Sequence, residues 1–142
     1  MIRKKGSAKW SGDLTSGQGH VSTESGVLKD QPYGFRERFE GAPGTNPEEL
    51  IGAAHAACFS MALSLVLAEH GATADEIATT ATVSLDKEGD GFAIKTVHLD
   101  LTAKVPGLDE AAFQTAANAA KEGCPVSKLL TGAEITLDAK LA

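Results

Sequence analysis

The spacing of apolar and polar residues changes period several times along the chain. Ile77, Thr79, Ala81, Val83 and Leu85 recur at every second position, which predicts a strand with one face toward a core. Val97, Leu99, Leu101, Ala103 and Val105 predict a second long strand, and Glu88-Gly89-Asp90-Gly91 between the two reads as a hairpin turn. Ile135, Leu137 and Ala139 predict a closing strand. Near the N-terminus, Lys9-Trp10, His20-Val21-Ser22 and Gly26-Val27-Leu28 read as short strands joined by glycine turns. Phe35 to Glu40 reads as a further extended piece, with Phe35 and Phe39 on one face and Arg36 and Arg38 on the other.

Helix signals begin at Asn46. Asn46 can cap, Pro47 suits a first turn, and Glu48 and Glu49 complement the helix dipole. The predicted helix runs to about His70 and stops at Gly71, where a left-handed residue is wanted. Nearly all its faces are apolar, so it should be covered all round. A single chain of 142 residues could hardly wrap a helix roughly 36 Å long. A second subunit would help to cover it. Asp109 begins another helix that ends near Gly123, and Pro125 opens a short one to about Leu130. No repeat or linker interrupts this order. The expectation is one α+β domain over residues 1–142, with antiparallel sheets around a long buried helix.

Composition narrows the function. The net charge is −6 and the pI about 5.1, so no basic footprint for nucleic acid is present. Arg3-Lys4-Lys5 is too short to matter and reads as a solvated strand end. The stretch from Leu50 to Ala68 carries no charge, but it contains Gly52, His55, Ser60 and Ser64, which favours a helix buried in protein over one in a membrane. The polar N-terminal sequence has no apolar signal segment, so a cytoplasmic location is expected.

The chemistry rests on two cysteines, Cys58 and Cys124. A reducing cytosol makes a permanent disulfide between them improbable, leaving two packing thiols or one redox couple. Two cysteines and four scattered histidines form no metal-ligand pattern. Cys58 lies mid-helix, where a free cysteine usually serves as a small hydrophobe. The helix dipole gives it no help there, so a reactive thiolate would need a cation from elsewhere. Cys124 precedes Pro125 and so occupies the N-cap of the short helix, a place that stabilises thiolates. Physics alone makes Cys124 the more obvious nucleophile. Arg38 and Arg36 would ordinarily be solvated strand residues, and Glu48 a first-turn acid. His55 lies one turn before Cys58 and could touch it, though a satisfied core histidine is as good a reading. Gly17-Gln18-Gly19 lacks the strand and helix a phosphate loop needs.

A resemblance separates these readings. Thr45-Asn46-Pro47-Glu48-Glu49-Leu50-Ile51-Gly52-Ala53-Ala54-His55-Ala56-Ala57-Cys58-Phe59 is similar to the signature helix of the OsmC/Ohr family of thiol peroxidases, and Gly123-Cys124-Pro125-Val126-Ser127 resembles its second-cysteine motif. Val21 to Leu28, Pro32-Tyr33-Gly34-Phe35 and Ser84-Leu85-Asp86-Lys87 resemble the OsmC branch. The resemblance implies an intertwined homodimer with two active sites at the interface. It implies that Cys58 is the peroxidatic cysteine, that Cys124 resolves it, and that Arg38 and Glu48 assist. Arg38 is preferred to Arg36 on the run Arg-Phe-Glu-Gly. The implied substrates are organic hydroperoxides and, less well, hydrogen peroxide, in osmotic or oxidative stress. The implied partners are a hydroperoxide, a dithiol reductant and a second copy of the chain, with no nucleic acid, membrane, metal or flavin.

Glu48 and Cys58 are ten residues apart, about 15 Å along one helix and about 80° around it. That gap motivates a composite site, with Cys58 from one subunit and Glu48 and Arg38 from the other. Two rivals stand beside the peroxidase: a structural dimer with packing cysteines, and a thiol hydrolase or isomerase. The hydrolase is disfavoured because no His–Asp pair is placed for a base relay.

Overall fold

A computed structural model describes residues 1–142. Contacts divide the chain into two compact units, Met1–Leu50 and Ile51–Ala142.

The first unit holds three antiparallel strands in the order β1 (Gly6–Ser11), β2 (Gln18–Thr23) and β3 (Gln31–Tyr33). Trp10 and Tyr33 meet above the sheet with ring centroids 5.5 Å apart. Gly19 lies beneath them, and a Cβ there would stand 2.7 Å from the Trp10 ring. Gly17, just before β2, also lies against Trp10, so the Gly-x-Gly serves aromatic packing. Gly26-Val27-Leu28, read as a strand, is instead an irregular segment whose first residue closes a turn, Gly26 N–H on Thr23 O at 2.9 Å, with Gly26 at φ 79°.

Phe35–Phe39 is a helix, α1, and not the extended piece expected. The reason is visible in side-chain pairs four residues apart, which meet on a helix. Phe35 and Phe39 stack at 4.8 Å, and Arg36 and Glu40 approach to 3.4 Å. A spacing of four suits both periods, so alternation alone misassigned it.

The second helix, α2 (Pro47–Glu69), has the expected ends. Asn46 Oδ1 accepts from Glu49 N–H at 2.8 Å, while the Asn46 amide donates back to the Glu49 carboxylate. At the other end Ala72 N–H reaches Leu67 O and Gly71 N–H reaches Ala68 O, with Gly71 at φ 71°. Gly52 lets this helix approach the sheet, since a Cβ there would sit 3.1 Å from Ala81 O.

The second unit continues with β4 (Glu76–Glu88) and β5 (Gly91–Lys104), an antiparallel hairpin whose turn carries Gly89 at φ 60°. Helices α3 (Glu110–Gly123) and α4 (Pro125–Leu129) lead to β6 (Glu134–Leu141). Asp109 caps α3 by accepting from Ala112 N–H at 2.8 Å. The sheet is mixed rather than antiparallel throughout, because β6 pairs parallel to β5. A parallel neighbour requires a crossover, and α3 with α4 supply it. Phe59, Leu63 and Leu67 of α2 pack with Leu99, Leu101 and Phe113 in one core cluster that also holds Cys124. Burial of α2 is one-sided: within the single chain, Met61 stays 75% and Leu65 64% exposed. The α+β order of strands, long helix, hairpin, two helices and strand matches the expectation.

Candidate active site

The two units hold different parts of the expected machinery. In the first, α1 presents Arg36 and Arg38 two residues apart, and so about 200° apart on a helix. Arg36 turns to Glu40 at the surface. Arg38 reaches Glu48 in the first turn of α2 through Nη2 at 2.7 Å and Nε at 3.0 Å. Both bonds converge on Glu48 Oε1, and a longer one from Nε to Oε2 at 3.3 Å completes the hold on the guanidinium. Arg38 also borders a cleft of about 170 Å³ lined by Trp10, Leu14, Tyr33, Phe35 and Phe39. The helical geometry separates the two arginines, which an extended reading could not do.

In the second unit, α2 carries Cys58 and the junction of α3 and α4 carries Cys124. Both are free thiols. Cys58 is partly exposed and Cys124 is 0% exposed. The two thiols stand close enough to act on each other's ionisation. Burial, and then the neighbouring Cys124 thiol, push the Cys58 thiol up from its ordinary value. Burial also acts to raise Cys124, but it is outweighed by the Cys58 thiol, the Ser127 N–H and hydroxyl, and the Val126 N–H, which together hold Cys124 down. Cys124 takes the N-cap position as read from sequence. Its neutral thiol makes no capping hydrogen bond, and the neighbouring donors act on the thiolate.

His55 does not serve Cys58 directly. Its Nε2 pairs with Ser127 Oγ at 2.8 Å inside the protein, and burial lowers its pKa. Ser127 was missed as a site residue, although its place three residues after an N-cap cysteine marks it as a donor toward that sulfur. A second cluster was also missed. His98 on β5 lies 3.4 Å from Asp100 and 3.1 Å from Asp138 of β6, so a His–Asp pair does exist. Its signal is His98 and Asp100 on the same strand face. That face is opposite the one through which Leu99 joins the cysteine-containing core, so it offers no relay to a thiol.

Residues 39–140 match the family described as OsmC-like protein. The Peroxiredoxin OsmC of Escherichia coli (strain K12) is 62% identical over 140 residues, covering 99% of this chain and 97% of that one. This chain belongs to the OsmC family. Among other OsmC-related proteins, the Organic hydroperoxide resistance protein OhrB of Bacillus subtilis (strain 168) is 36% identical over 124 residues, 87% of each chain. The crystal structure of Bacillus subtilis OhrB superposes with a TM-score of 0.72 at 32% identity, covering 96% of this chain and 98% of that one. The matched range spans Glu48, Cys58 and Cys124, and Arg38, the ion-pair partner of Glu48, stands one residue before it.

Proposed function

We propose that this chain is a peroxidase that reduces organic hydroperoxides, with Cys58 attacking the peroxide and Cys124 resolving the product. The observation that carries this reading is the facing pair of reduced thiols, one reachable and one buried. The names of the Escherichia coli and Bacillus subtilis relatives point to the same chemistry.

The Cys58 thiolate attacks the O–O bond, which breaks. One oxygen stays on sulfur as a sulfenic acid, and the alkoxide leaves and takes a proton to become an alcohol. Cys124 then forms an S–S bond with Cys58 and the sulfenic oxygen departs as water. A cellular dithiol returns the disulfide to two thiols. Sulfur carries both electrons, so the cycle requires neither metal nor flavin.

Cys58 is the less acidic thiol within one chain, so a cation must lower it before it attacks. Arg38, held by Glu48, is that cation in this reading. The length of α2 between Glu48 and Cys58 argues that it acts across a homodimer, with composite sites. Met61 and Leu65, exposed on α2, are surface that a second copy covers. The aromatic cleft beside Arg38 offers an apolar wall for the organic group. We place the whole chain in one OsmC-like domain, acting in the cytoplasm in stress defence.

The acidity of Cys124 favours one other reading, in which Cys124 attacks and Cys58 resolves. Its complete burial argues against that order, because a bulky hydroperoxide must reach the attacking sulfur. Dithiol-coupled consumption of an organic hydroperoxide, lost in Cys58→Ser, tests the proposal. Retention of multi-turnover activity in that variant would overturn it.

A further inference from the structure

The reaction above leaves two buried polar side chains without a task. His55 is 0% exposed and Ser127 8%, and they meet at 2.8 Å. His55 Nδ1 is also buried and has no hydrogen-bond partner. These facts decide where the protons lie. A serine hydroxyl has one proton to give, and a neutral imidazole carries one proton on one of its two nitrogens. Burial keeps His55 neutral.

If Ser127 donated to Nε2, the imidazole proton would sit on Nδ1, where nothing accepts it. A buried N–H without an acceptor is a rare and costly arrangement. The other tautomer places the proton on Nε2, which donates to Ser127 Oγ and leaves only a lone pair unpaired at Nδ1. Ser127 then keeps its own proton free for another acceptor. Cys124 is the acceptor that position offers: it stands at the N-cap of the helix that carries Ser127 three residues later, and the Ser127 hydroxyl is among the groups that favour its thiolate.

We propose that His55 and Ser127 form a positioning relay, Nε2–H to Oγ and Oγ–H to Sγ, that holds Cys124 as the thiolate which attacks the Cys58 sulfenic acid. This rests on the reading of Cys124 as the resolving residue. In that step the Cys124 sulfur supplies the electron pair, the S–S bond forms and the S–O bond breaks. Hydroxide leaves and takes up the proton that Cys124 released on ionising, giving water. Without the relay one of the groups that offset the burial of Cys124 is lost, its thiolate fraction falls and it attacks more slowly. Cys58 faces Cys124 from α2 as a titratable neighbour, and His55, on the same helix as Cys58, pairs with Ser127 of α4. The remaining residues of the core cluster that holds Cys124 are apolar. His55 and Ser127 act through Cys124, so both are positioning residues.

The test separates the relay from the role it serves. In full-length Cys58→Ser protein, Cys124 is the only thiol, and its alkylation by iodoacetamide against pH reports its ionisation. Adding Ser127→Ala or His55→Leu should move the profile to higher pH and slow alkylation at pH 7 by roughly ten-fold, the weight of one hydrogen bond to a charged sulfur. His55→Gln keeps an N–H donor at the Nε2 position and should restore the original profile. In chains that retain Cys58, Ser127→Ala should slow disulfide closure without slowing sulfenic acid formation. Unmoved profiles in both Ser127→Ala and His55→Leu overturn the relay while the resolving role stands. Absence of a Cys58–Cys124 disulfide in the unsubstituted protein after one equivalent of hydroperoxide removes the resolving role, and the relay with it.

Discussion

Cys58 on helix α2 and Cys124 at the head of α4 face each other as free thiols, each acting on the other's ionisation. Their surroundings divide the pair. Burial and the Cys124 thiol push Cys58 up, while the groups around Cys124 outweigh its burial and hold it down. The more exposed thiol is therefore the weaker acid within one chain, and the buried one the stronger. This order suits a resolving cysteine, which should be ionised as soon as a sulfenic acid appears beside it.

The two cysteines should fail differently. Cys58→Ser should abolish hydroperoxide consumption. Cys124→Ser should complete about one turnover and then, under excess peroxide, accumulate Cys58 sulfinic acid, because no thiol intercepts the sulfenic acid. Stopped-flow consumption with mass analysis of the product checks both. First-step oxidation lost in Cys124→Ser but kept in Cys58→Ser would reverse the assignment.

Arg38→Met should slow the first oxidation by roughly ten-fold or more, the effect of removing a cation that favours a thiolate. Arg36→Met should change little, since Arg36 and its partner Glu40 are both well exposed. The pH profile of Cys58 alkylation in Cys124→Ser protein gives the comparison. An Arg38→Met profile identical to the parent excludes Arg38 from the site.

Composite sites predict complementation. Cys58→Ser chains and Arg38→Met/Glu48→Ala chains should each be inactive or nearly so. A mixed dimer of the two contains one site with all three native groups and should recover activity. No recovery on mixing places each site within one subunit.

Burial of His55 gives the fold a pH dependence. Its folded pKa lies below the ordinary 6.5, so the unfolded chain takes a proton that the folded chain refuses. Stability from this residue is intact above pH 6.5 and is lost as pH falls toward the folded pKa. The melting temperature should drop between pH 7.5 and 5.5, and His55→Gln should flatten that drop. A parent curve as flat as that of the variant would show that His55 is free to protonate in the folded state.

Much of this was legible in the sequence, for physical reasons that differ by element. The ends of α2 were readable because Asn46 and Gly71 do local work, and the β4–β5 hairpin because Gly89 marks its turn. Helix α1 was misread because four-residue spacing fits both a strand face and a helix face. The parallel pairing of β6 was hidden, since alternation reports a face and not a neighbour. Arg38 against Arg36 became decidable only once the backbone was helical. The contact of Cys58 with Cys124, and of His55 with Ser127, joins segments far apart in sequence, which no local pattern reports.

The central claim is that Cys58 is oxidised first and Cys124 closes the disulfide. Peptide mass spectrometry after one equivalent of an organic hydroperoxide, with dimedone present to trap sulfenic acid, tests it most directly. The unsubstituted protein should show a Cys58–Cys124 disulfide, and Cys124→Ser protein should show the dimedone adduct on Cys58. An adduct on Cys124 in Cys58→Ser protein formed at the same rate, or two cysteines left unoxidised in the unsubstituted protein, would contradict the account.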